Sequence, residues 1–120
     1  MTTYIVTVED GMTTWRNTDG QLHRDEGPAT ISEDCIKTWY QHGKMHRDDG
    51  PAMKIKGGTK IWYQHGKIHR TDGPAIEYSF GDKDWYLNDI KLSESEFNQQ
   101  IRGVGKIIIV DGVKYQALPT

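Results

Sequence analysis

Cysteine is almost absent from this sequence. Cys35 stands alone, so no disulfide can join two parts of the chain, which fits a reducing compartment. Long apolar runs are missing as well. No stretch approaches the ~18 residues of a membrane span, and Met1-Thr2-Thr3-Tyr4 opens no basic, apolar leader. A cytoplasmic protein without a membrane span is therefore expected. Neither charge sign dominates: the formal net charge is −2 and the pI is near 6.2, which makes extended nucleic acid an unexpected partner. Hydrophobic residues make up 35% and mean hydropathy is −0.74, so the 120 residues predict one small domain with a thin core. Four Trp and six Tyr offset this, because each can bury a large area. Thirteen Gly and four Pro predict many turns.

What is present is a repeated phrase. Residues 62–75 read Trp-Tyr-Gln-His-Gly-Lys-Ile-His-Arg-Thr-Asp-Gly-Pro-Ala, and residues 39–52 match them at 12 of 14 positions. A looser copy runs from Trp15 to Ala29, and a fading one begins at Trp85-Tyr86. His23, His46 and His69 are spaced by 23 residues, as are Arg24, Arg47 and Arg70, Gly27, Gly50 and Gly73, and Pro28, Pro51 and Pro74. A period between 20 and 50 residues means stacked supersecondary units. Each unit is too short for a βαβ crossover and carries no helical apolar period. Ile76, Tyr78 and Phe80 alternate with polar neighbours as in a half-buried strand, and His42-Gly43 and His65-Gly66 reverse the chain. Tyr4–Val8 and Met12–Asn17 predict two strands before the repeat. The fold class expected is mainly β: antiparallel hairpins laid side by side in one long sheet over residues 1–92.

The text changes after Leu92. Ser93-Glu94-Ser95-Glu96 is a capping box, with a short helix expected from Glu94 to about Arg102 and a stop at Gly103. Lys106–Val110, Asp111-Gly112 and Val113–Ala117 predict a terminal β-hairpin. Residues 93–120 are read as a cap on the open end of the sheet, within a single folding unit. A second reading makes the edge of that hairpin a homodimer surface.

The phrase Trp-Tyr-x-x-Gly-Lys-x-His-Arg-x-Asp-Gly-Pro-Ala resembles repeats of small phage and large-virus proteins. It is also similar to the MORN (membrane occupation and recognition nexus) repeat, with its 23-residue period and aromatic-x-x-x-Gly-Lys-x-His-Gly core. Residues 39–44 and 62–67 carry that core, with His46 and His69; Arg47 and Arg70 stand where the MORN repeat has Gly. The resemblance spans about residues 15–92. Leu92-Ser93 to Phe97 and the Asp-Gly hairpin also look like the usual ending of the phage proteins. It implies a MORN-like hairpin-repeat sheet that serves as a protein-binding scaffold. Phage members of this size imply a partner in host machinery or host defence.

Several residue sets suggest chemistry. Successive copies of a two-strand unit lie roughly 10 Å apart, and a metal ion needs its nitrogens at ~2.1 Å, so His23, His46 and His69 cannot share one ion. The reading for them is a ring whose nitrogens bond a neighbouring turn, with the ring packed on Trp. Arg24, Arg47 and Arg70 each precede acids, which predicts a local Arg–carboxylate ladder; the functional alternative is an Arg stripe meeting phosphates or an acidic partner. Trp39, Trp62 and Trp85 are followed by Tyr40, Tyr63 and Tyr86, and adjacent strand residues face opposite ways. The Trp row is expected in the core and the Tyr row on the other face, as a protein-binding surface. Cys35 sits among acids that disfavour its thiolate, and Lys44 and Lys67 lack the context of a phosphate loop. No cofactor or metal is expected.

The first functional reading is thus a non-enzymatic protein-binding module, a phage-encoded inhibitor or modulator of a host defence protein. Its binding residues are Tyr40, Tyr63, Tyr86, Arg24, Arg47 and Arg70. The second is a small-anion or nucleotide binder using the Arg and Tyr rows. The third is an enzyme built on a His–Asp pair such as His46 and Asp49.

Overall fold

The computed structural model describes residues 2–102 and, beyond them, the backbone of 107–110 and 113–116. It is mainly β, with a large antiparallel sheet and one short helix near the C-terminus. The strands in chain order are β1 (Ile5–Glu9), β2 (Met12–Arg16), β3 (Thr30–Ser32), β4 (Lys37–Thr38), β5 (Tyr40–Gln41), β6 (Lys44–Met45) and β7 (Met53–Lys54). They continue with β8 (Lys60–Ile61), β9 (Tyr63–Gln64), β10 (Lys67–Ile68), β11 (Ile76–Glu77), β12 (Lys83–Leu87) and β13 (Ile90–Leu92), then α1 (Glu94–Ile101), β14 (Ile107–Val110) and β15 (Val113–Gln116). Nine strands form one meander in the order β1-β2-β3-β4-β7-β8-β11-β12-β13. Two small ladders, β5-β6 and β9-β10, branch from it once per repeat.

The branch point is the tryptophan. Trp39 lies between β4 and β5, and Trp62 between β8 and β9, each outside both ladders. Each still bonds both ways: Trp39 N–H donates to Ala52 O at 2.7 Å, and its carbonyl accepts from His46 N–H at 3.0 Å. Trp62 repeats this with Ala75 and His69 at 2.8 and 3.1 Å. The single long hairpin expected per repeat is thus split into an inner arm in the main sheet and an outer arm in its own ladder.

The core is small and its occupants are not the tryptophans. Ala29, Ala52 and Ala75 have no exposed surface, whereas the four Trp are half-buried. Each alanine carbonyl accepts the N–H of Trp15, Trp39 or Trp62, and its methyl is fully covered. The expected Trp core is corrected accordingly: the buried positions are the alanines, and the indoles are only half-buried. The chain measures 57 × 37 × 19 Å, and a thickness near two sheet layers leaves no room for a deeper interior.

One further expectation changes. The strand predicted through Phe80 stops at Glu77; Tyr78 N–H and Gly81 N–H close a turn onto Asp82 O and Tyr78 O, and Phe80 is 72% exposed. The turn residues win because Gly81 takes φ +100°, which a continuing strand does not allow. The helix runs Glu94–Ile101 with the predicted capping box in place. Ser93 Oγ accepts from Glu96 N–H, and Glu96 Oε1 accepts from Ser93 N–H, at 3.0 and 2.9 Å. Phe97 is its buried residue. β14 and β15 pair antiparallel in the expected register, from Ile107↔Gln116 to Val110↔Val113. The predicted stop at Gly103, the Asp111-Gly112 turn and the cap or dimer role of this hairpin lie outside the described residues. Among the described residues no helix is long and apolar enough to cross a membrane.

Candidate functional site

Each of the first three copies ends in a His-Arg-x-Asp/Glu-Gly-Pro-Ala loop, and these loops hold the residues that the sequence marks for chemistry. The arginines come first. Arg24, Arg47 and Arg70 lay their guanidinium carbons 3.9, 4.1 and 3.8 Å from the ring centroids of Trp15, Trp39 and Trp62. Nη1 of each donates to the carbonyl of its own repeat's proline, Pro28, Pro51 or Pro74, at 3.0–3.1 Å. Arg47 Nε also donates to Asp49 at 2.9 Å and Arg70 Nε to Asp72 at 2.8 Å; Arg70 Nη1 reaches Glu77 at 2.9 Å as well.

The glycine of Gly-Pro-Ala is explained by this stack. A Cβ built on Gly27, Gly50 or Gly73 would lie 3.0–3.1 Å from the arginine Cζ. The guanidinium is thus sandwiched between an indole and a bare glycine backbone. A cation over an indole, partly desolvated, contributes about 1–2 kcal/mol, and the planar fork suits this slot better than an ammonium. The Arg–carboxylate ladder is found within repeats for Arg47 and Arg70; the aromatic and proline partners are what the sequence reading missed. The constant Arg–Gly spacing, with a Trp eight or nine residues ahead of each Arg, was the available signal.

The histidines read the next repeat. His23 Nδ1 accepts the His42 N–H at 3.0 Å, His46 Nδ1 accepts the His65 N–H at 3.0 Å, and His69 Nδ1 accepts the Asn88 N–H at 3.1 Å. An acceptor at Nδ1 places the proton on Nε2, which donates to Asp25 in His23 and Asp48 in His46, at 2.9 and 2.8 Å. The expectation that the nitrogens bond a neighbouring turn is met. The ring partner differs: His23 and His46 pack on His42 and His65 with centroids 4.5 Å apart. Those turn residues take φ +50° and +51°, so the donated amide points back at the previous repeat. The pair proposed as His46 with Asp49 resolves differently, since Asp49 belongs to Arg47 and His46 holds Asp48. The bonds from His23, Tyr4 and Thr2 hold the Asp25 carboxyl below the ordinary aspartate value.

Glutamines and backbone complete the junction. Gln41 Nε2 donates to Arg24 O and Gln64 Nε2 to Arg47 O, at 2.9 and 2.8 Å. Arg24, Arg47 and Arg70 N–H donate to the carbonyls of Tyr40, Tyr63 and Tyr86 at 3.3–3.4 Å. The predicted site residues are therefore neighbours across repeat boundaries through their backbones. The rings of Tyr40, Tyr63 and Tyr86 are half-buried, and their hydroxyls have no partner among the described residues. Burial pushes the Tyr63 hydroxyl upward, with the nearby Asp89 and Tyr40 adding to it.

Between successive loops run two open grooves of about 930 and 1020 Å³ at equivalent positions. The first is walled by Arg24, Trp39, His42 and Asp48, the second by Arg47, Trp62, His65 and Asp72. Both mix cations and carboxylates. Cys35 lies in an exposed turn at φ +62°, with Sγ 4.0 Å from Glu33 O. Among the described residues no group of three His, Cys, Asp or Glu is placed to hold a metal ion. No family model, curated protein or solved structure matches the chain.

Proposed function

We propose that this protein is a non-enzymatic binding module that docks another protein along its repeat sheet, through the tyrosine file Tyr40, Tyr63 and Tyr86. One observation carries the reading: these rings recur at a 23-residue step, half-exposed, with hydroxyls that meet no partner among the described residues. Tyrosine in that state gives large contact area and a free hydrogen bond at small entropic cost. A MORN-like identity for the hairpin repeat fits the branched meander and its period. The setting of phage infection, with a host defence protein as partner, rests on the resemblance of the repeat phrase. Arg24, Arg47 and Arg70 are held against their own loops, because one Nη1 donor of each goes to a proline carbonyl and, in two copies, Nε goes to an acid.

The test is direct. Capture from bacterial lysate should yield one protein in stoichiometric amount, identified and then rebound in purified form. Tyr63→Ala and Tyr40→Ala should each weaken that purified complex by about tenfold or more, about 1.4 kcal/mol. Unchanged affinity in both variants would remove the tyrosine file from the interface. The small-anion reading survives only if a nucleotide or phosphate panel raises the melting temperature, as a ligand of the native state must.

A further inference from the structure

The main sheet carries a second surface that the tyrosine reading does not use. Its register sets Lys37 opposite Lys54 and Lys54 opposite Lys60; the file continues through Glu77 to Lys83. Residues directly opposite in an antiparallel pair share a face and lie ~5 Å apart. All four lysines are exposed. The one acid in the file is drawn away, since Glu77 Oε2 accepts from Arg70 at 2.9 Å. Among the described residues none of these lysines has a carboxylate within 4.0 Å, whereas Lys91 has Asp84 at 3.6 Å. The file shares its face with the Trp39 indole, as Lys54 Nζ stands 5.8 Å from that ring.

Like charges set directly opposite one another weaken a sheet. Three stand in succession, relieved among the described residues only by the Trp39 ring near Lys54 and by Glu77 opposite Lys60, which is itself held by Arg70. We propose that the lysine file Lys37, Lys54, Lys60 and Lys83 is a docking surface for an acidic polypeptide segment. Charge complementarity argues for carboxylates, and spacing refines it. Lys37, Lys54 and Lys60 step by ~5 Å, which matches acids three and four residues apart on one helix face, and Lys83 lies ~10 Å beyond Lys60, past Glu77. Nucleic acid fits less well. The indoles of Trp15, Trp39 and Trp62 are stacked under guanidinium groups, so bases find no bare ring there.

The test uses the whole chain and a labelled helical peptide with Glu at every third or fourth position of one face, in fluorescence anisotropy at physiological salt. Oligo-dT and a same-composition scrambled peptide serve as competitors. The wild type should bind the patterned peptide best. Lys54→Glu should lose about tenfold or more in affinity, while its melting temperature rises, because the new carboxylate would face Lys37 and Lys60. That rise separates lost binding from lost folding. Lys44→Glu and Lys67→Glu, on the outer arms, should bind as the wild type does. Three results overturn the proposal: no peptide binding, equal loss in the outer-arm variants, or oligo-dT bound at least as tightly as the peptide. Failure here leaves the tyrosine surface standing, since Tyr40→Ala and Tyr63→Ala are read on a different complex.

Discussion

The second and third copies of the repeat differ at two positions out of fourteen, and one of these separates their loops chemically. In the second, His46 bridges the turn of the next repeat and Asp48, so both ring nitrogens are engaged. In the third, Thr71 replaces the aspartate; His69 keeps only the turn, now at Asn88, and is half-buried where His46 is buried. Arg70 compensates with two carboxylates, Asp72 and Glu77, against one for Arg47. The arginine–indole stack and the histidine-to-turn bond are thus the invariant parts of the loop. The carboxylates around them are adjustable.

The greatest loss should come from breaking the invariant part. Arg47→Ala removes the cation over Trp39, the bond to Pro51 and the Asp49 pair together. It should cost about 2–3 kcal/mol in urea unfolding. Arg47→Lys should recover only a fraction, because an ammonium cannot lie flat in the slot left by Gly50. Next, His46→Ala should cost about 1–2 kcal/mol and His69→Ala less, since the former strands Asp48 and an amide and the latter an amide alone. Equal costs would mean the aspartates at the histidines are idle. Ser93→Ala lies outside the repeat and should cost about 1 kcal/mol through loss of the helix cap, leaving the repeat register unchanged by hydrogen exchange.

A milder substitution runs in the opposite direction. Thr71→Asp writes the second copy's carboxylate into the third and should stabilise by a few tenths of a kcal/mol, about 0.3, as a mostly exposed pair does. Least of all is a pH dependence at Asp25. Its folded pKa lies below the unfolded value, so its contribution is fully present above the unfolded value and disappears as pH falls through the folded one. Asp25→Asn should flatten that part of the acid unfolding curve; an unchanged curve would assign the acid transition to other carboxylates.

Much of the architecture was legible because it is written as a period. The 23-residue step, the strand-turn-strand text within it and the capping box at Ser93 each obey a local rule, and the fold follows all three. What escaped the sequence reading are consequences of stacking one copy on the next. Nothing local says that Ala52 rather than Trp39 fills the core, since the larger residue is ordinarily the better core candidate. Nothing local says that an arginine among acids will turn to an indole, or that Gly50 is bare to admit it. His42 and His65 adopt positive φ without being glycine, because their amides serve the previous repeat. The lysine file is invisible in sequence, as Lys37, Lys54 and Lys60 become neighbours only through register.

In this picture the arginines belong to the fold. A double-mutant cycle on Arg47→Ala and Trp39→Leu, read by urea unfolding, probes that directly. We predict a coupling energy of about 1 kcal/mol or more between the two positions. A coupling near zero, with Arg47→Ala as stable as the wild type, would contradict it and return the arginines to the set of free binding residues.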